Sequence, residues 1–187
     1  MLWHQTVSLQ AQKFVCGFCG DKVASKEGYT TTDAPNGRQA QLFICPGCTK
    51  PSLFHFSLQV PGVAPGNEVA HLPKDIEALY LEARRSAGVG ANTAAVLACR
   101  KLLMNIAVAQ GAKAGESFVS YVEFLASAGY VPPNGRAWVD HIRSKGNEAT
   151  HEIQVMAPED ASELIAFAEM LLKFVFEFPA KVPTKAP

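Results

Sequence analysis

In the first sixty residues the apolar positions come in short alternating runs, and from Lys74 onward they recur every three or four residues. The first pattern predicts strands. Lys13–Val15 leads into one Cys-x-x-Cys pair and Gln39–Ile44 into a second. Leu53-Phe-His-Phe-Ser-Leu-Gln-Val60 then alternates, which would set Phe54, Phe56, Leu58 and Val60 on one face of a third strand. Between the first two strands lies Asp33-Ala-Pro-Asn-Gly37, whose Asn36-Gly37 step suits a tight hairpin turn. The expectation is a three-stranded ribbon over residues 1–60 with a short N-terminal extension.

Residues 61–73, Pro-Gly-Val-Ala-Pro-Gly-Asn-Glu-Val-Ala-His-Leu-Pro, continue neither a strand nor a helix and read as a linker. Helical spacing follows over residues 74–178. Ile76, Leu79, Tyr80 and Ala83 mark a first helix behind Pro73 and Asp75, and Val96, Cys99, Leu102, Leu103 and Ile106 a second from about Asn92 to Gln110. A third is expected from Ser117 to Ala128, stopped by Gly129 and Pro132-Pro133, and a fourth over about Arg136–Lys145. The fifth begins at Pro158, with Glu159 and Asp160 complementing the helix dipole, and runs to Phe176. It is apolar around most of its circumference and so is expected at the centre. Residues 179–187 read as a flexible tail. The fold class is therefore α+β, mainly α: a small ribbon followed by a five-helix antiparallel bundle.

Composition narrows the function classes. Seventeen Lys plus Arg balance seventeen Asp plus Glu in 187 residues, so no global basic field draws the chain to nucleic acid or to an anionic membrane. The first thirteen residues hold no signal-peptide core. Leu164–Phe178 is shorter than the ~20 residues a bilayer span needs, and it carries Glu169, Lys173 and Glu177 as a narrow polar stripe. A cytoplasmic protein without membrane contact is expected.

Four of the five cysteines form two Cys-x-x-Cys pairs, Cys16-Gly-Phe-Cys19 and Cys45-Pro-Gly-Cys48. Without an export signal this pattern reads as metal binding rather than as disulfides. Two residues between cysteines let a tight turn aim both thiolates at one ion, and glycines stand where the backbone must fold sharply. Four thiolates close a tetrahedral zinc shell and leave no position for substrate, so one structural zinc ion per chain is expected. Cys99, inside a helical pattern, reads as a small buried apolar residue. His55 reads as a partly exposed strand residue. Phe43, Phe54 and Phe56 have two readings, as core or as stacking platforms for bases.

Around the fourth helix, Arg143, Asn147 and His151 are each four apart and would form one polar ridge on a continuous helix. A phosphate-binding arginine, an orienting amide and a histidine titrating near neutrality are suitable parts for metal-independent RNA cleavage. The alternative has Asn147 capping a new helix after a break at Gly146.

The ordered set of Cys₄ ribbon, Pro73-Lys-Asp-Ile-Glu-Ala-Leu-Tyr-Leu-Glu-Ala83, Arg100-Lys-Leu-Leu103 and Ile142-Arg-Ser-Lys-Gly-Asn-Glu-Ala-Thr-His151 resembles the prokaryotic family known as domain of unknown function 4145. The resemblance implies a helical part similar to the HEPN superfamily, a homodimer, and association with restriction-type or other defence proteins. Many HEPN domains are ribonucleases, and others bind or scaffold. Their ribonuclease motif is an arginine with histidine four to six residues on, whereas seven residues separate Arg143 from His151 here. The expected function is a zinc-binding, non-enzymatic interaction module. The alternatives are a HEPN-like ribonuclease acting through Arg143, Asn147 and His151, and a DNA-binding regulator led by the ribbon.

Overall fold

Two units divide the chain, Met1–Ala64 and Pro65–Pro187. A computed structural model describes residues 2–31, 40–132, 135, 138–142 and 155–182; the Asn36-Gly37 turn lies outside these.

The first unit is an antiparallel meander of five strands: β1 (Val7–Val15), β2 (Lys22–Thr30), β3 (Gln41–Ile44), β4 (Pro51–His55) and β5 (Leu58–Val60), hydrogen-bonded in that order. Two differences from the expected three strands have physical causes. The inner face of β2 carries Ser25 and Gly28 in place of large apolar residues, so the strand shows no alternation. Gly28 sits opposite Phe43, and a Cβ there would stand 1.8 Å from the Leu42 carbonyl oxygen, so the position requires glycine. Leu53–Val60, for its part, is a hairpin rather than one strand. The chain reverses at Phe56 (φ 55°) and Ser57, which puts Leu53 opposite Val60 and His55 opposite Leu58. Phe56, Leu58 and Val60 are consequently exposed, and Phe54 alone of the expected face turns inward.

In the second unit α1 (Lys74–Gly88), α2 (Asn92–Ala109), α3 (Phe118–Ser127), α4 (helical at 138–142) and α5 (Pro158–Leu172) build one apolar core. Ser117 caps α3 by accepting the Ser120 N–H, and the Asp160 carboxylate accepts the Ala157 N–H at the start of α5. The centre belongs as much to α2 as to α5, since α2 packs on α1, α3 and α5. Among the described helices, α2 is also the one whose length and composition would suffice to cross a bilayer; its Val96, Cys99, Leu102, Leu103 and Ile106 are packed into the core. In α4, Val139 and Ile142 are buried and the Trp138 ring meets Phe167 edge-on at 5.0 Å.

The last helix runs beyond Phe176. A π-helical turn, Lys173–Glu177, joins α5 to α6 (Phe178–Lys181). Pro179 explains the widening: it has no N–H for the Val175 carbonyl, and its ring would strike that carbonyl in a regular α-helix. The turn also corrects drift, because positions eight apart on an α-helix diverge by about 80°.

That correction matters for residues 65–70, the middle of the expected linker. They belong to the helical unit, held there by buried carboxylates. Glu169 accepts the Asn67 N–H at 2.8 Å and Asn67 Nδ2 at 3.0 Å, and Glu177 accepts the Ala70 N–H at 3.0 Å. Tyr80 donates to the Asn67 carbonyl, while Arg84 donates to the carbonyls of Pro65 and Gly66. Val69 completes the docking by entering the core. Glu169, Lys173 and Glu177 are therefore no solvent-facing stripe: the two acids are nearly buried and ion-paired to Lys173 and Lys181.

Candidate metal centre

The ribbon presents its four cysteines from two near-identical turns. In the first, Gly20 N–H donates to the Cys16 carbonyl at 2.8 Å and Cys16 N–H to Asp21 at 2.9 Å; in the second, Thr49 N–H donates to Cys45 at 2.9 Å and Cys45 N–H to Lys50 at 3.0 Å. The residue after each second cysteine takes a left-handed backbone, Gly20 at φ 77° and Thr49 at φ 58°. The sharp bend thus falls there and not at Gly47. Gly17 serves a different purpose, close approach: a Cβ on it would lie 2.3 Å from the Pro61 carbonyl oxygen. Trp3 Nε1 donates to the Thr49 carbonyl at 2.7 Å and braces the second turn.

These turns bring the four sulfurs within 4.8 Å of one another, with Cys16 Sγ 3.7 Å from Cys48 Sγ and Cys19 Sγ 3.8 Å from Cys45 Sγ. A tetrahedron of sulfurs about 2.3 Å from a central ion has edges of about 3.8 Å, which these two separations match, and the whole set is close enough to hold one metal ion. Cys16 and Cys45 are fully buried against Phe14 and Phe43, with Phe54 closing an aromatic triangle at ring distances of 5.1 to 6.2 Å. Phe43 and Phe54 are therefore core residues. Phe56 stands exposed with the His55 ring 4.3 Å away, and Phe18, at the tip of the first turn, lies under Lys50.

Electrostatics points the same way. Burial pushes the Cys16 thiol up, but the N–H groups of Cys19 and Phe18, helped by the Cys19 and Cys48 thiols, outweigh it and lower the pKa to about 7. Cys19 and Cys48 are pushed up, by burial first and then by neighbouring sulfurs, among them Cys16 and Cys45. A divalent cation among the sulfurs would offset the burial and sulfur–sulfur repulsion that push Cys19 and Cys48 up.

Arg143, Asn147 and His151 lie outside the described residues. The segments on either side are anchored: Ile142 is buried, and Met156 N–H donates to Thr93 Oγ1 at 3.1 Å. Cys99 is fully buried in the helical core, which pushes its thiol up to about 12 and makes it unreactive. Sequence reasoning passed over Trp3 and Thr49. The available signal was the parallel between Cys19-Gly20 and Cys48-Thr49, two residues in one structural position.

The profile described as domain of unknown function (DUF4145) matches residues 81–186. The chain belongs to this family. The match begins inside α1, so the four clustered cysteines precede the DUF4145 span. No curated protein and no solved structure matches the chain.

Proposed function

We propose that the ribbon holds one structural zinc ion and that the chain is a non-enzymatic binding module of prokaryotic defence systems. In this reading it works in the cytoplasm as a homodimer joined through a HEPN-like helical unit, beside a defence protein partner. The carrying observation is the set of four cysteine sulfurs within 4.8 Å of one another, two of them fully buried, which would fill a four-coordinate shell and leave no ligand position for substrate. The all-thiolate tetrahedral donor set suits zinc as it suits iron; the reading takes zinc because a small ribbon whose apolar core is little more than three phenylalanines depends on a structural ion to fold.

Metal analysis should return close to one zinc per chain, and light scattering a dimer. The non-enzymatic part is tested by incubating the zinc-loaded protein with structured and single-stranded RNA in magnesium-free buffer, beside His151→Ala. Both proteins are expected to leave the RNA intact. Cleavage that vanishes in His151→Ala would replace this reading with the ribonuclease one.

A further inference from the structure

Helix α2 carries no aspartate or glutamate, and its only charges, Arg100 and Lys101, are adjacent. At 100° per residue, Leu97, Met104 and Val108 fall along one outward row, with Lys101 bordering it on one side and Arg100 on the other. The row is open at both ends, where Leu97 is 44% and Val108 40% exposed, while Met104 between them is partly buried against the core. Arg100 is the unusual member. Its guanidinium stands over the Phe118 ring, with Cζ 4.2 Å from the centroid, and its Nη1 is buried without an acceptor. Among the described residues no acid pairs with it, and burial alone holds its pKa below the ordinary arginine value.

A half-buried cation normally has a counter-charge, because desolvation without one is costly. A guanidinium stacked on an aromatic ring has its fork fixed in advance for a carboxylate. Arginine and methionine are enriched at protein-contact surfaces, and here they stand beside the exposed Leu97 and Val108. We propose that this face of α2 is a docking surface for an amphipathic helix of a partner protein, whose apolar stripe covers Leu97, Met104 and Val108 and whose bordering carboxylates pair with Arg100 and Lys101. Charge complementarity selects a different protein over a second copy: two α2 helices laid together offer four cations and no acid. This deepens the interaction-module reading and rests on it.

The test uses full-length zinc-loaded protein and a labelled synthetic amphipathic helix with leucines along one stripe and glutamates on both borders. The expected result is binding that falls about tenfold or more in Arg100→Gln and with glutamine in place of the glutamates, and that is unchanged in Lys113→Gln. Leu97→Asp, at an exposed position, should abolish binding without lowering the melting temperature. Equal binding of the glutamate and glutamine helices, or no effect of Arg100→Gln, overturns the surface and leaves the module reading in place. Retention on phosphatidylserine vesicles that depends on Arg100, with no peptide binding, overturns it in favour of a membrane surface. An Arg100→Gln protein that melts lower and is rescued by Glu148→Gln or Glu152→Gln overturns it too, by giving Arg100 an internal partner. His151-dependent RNA cleavage, by contrast, sinks the module reading itself.

Discussion

Asn67 gives both its backbone N–H and its side-chain amide to the Glu169 carboxylate, 102 residues further along the chain. This pairing fixes residues 65–70 on the helices, and it replaces water that the backbone amide would otherwise keep. Glu169→Ala leaves the Asn67 donors and Lys173 without their shared acceptor. We expect a loss of about 2–3 kcal/mol in urea unfolding of the helical unit, with Glu169→Gln costing roughly half as much because one acceptor oxygen survives. Limited proteolysis should at the same time open residues 65–70.

The pH dependence follows from the same groups. Burial raises the Glu169 carboxyl, but hydrogen bonds from Lys173 and Asn67 outweigh it and hold it below the usual range; Lys181 and the Ala70 N–H do the same for Glu177. A carboxyl depressed in the folded state contributes stability that is complete above its unfolded pKa, about 4.3, and that disappears as pH falls through the lower folded value. Melting temperatures measured from pH 7 down to pH 3 should therefore decline below about pH 4.5. Glu169→Gln/Glu177→Gln should flatten that decline, and an unchanged slope would show that other groups govern it.

Removing the metal should affect the units unequally. The ribbon core consists of Phe14, Phe43 and the thiols with a few partly buried neighbours, whereas the described helical core draws on residues from Val69 onward. Cys45→Ser should lose the ion, and strand signal with it, while the helical circular dichroism keeps a separate unfolding transition. Loading should release protons and weaken steeply with acid, since thiolates are the ligands.

The paired turns predict opposite outcomes for one kind of change. Thr49 pays for a left-handed backbone that Gly20 adopts freely, so Thr49→Gly should stabilise the metal-loaded ribbon by about 0.5–1 kcal/mol and Gly20→Ala should cost about 1 kcal/mol. A chelator-competition midpoint reads both. Gly28→Ala should do far more harm, because the new methyl group meets the Leu42 backbone and no rotamer relieves it.

The four-cysteine cluster and the helices were legible in the residues alone. Ligand spacing within one turn is a local property, and so are the Ser117 cap, the three-and-four spacing of Ile76, Tyr80 and Ala83, and the stop at Gly129. Whatever depends on partners distant in the chain was set by packing. Strand β2 exists because β1 and β3 flank it, although Ser25 and Gly28 erase its pattern; Leu53–Val60 folds back on itself because Phe54 belongs with Phe14 and Phe43, while Phe56 turns to solvent. In the same way Glu169 and Glu177 looked like a wetted stripe until residues 65–70 were laid across them. Periodicity reports which side of an element is apolar, but whether a polar side faces water or another segment's unpaired N–H groups is settled by packing alone.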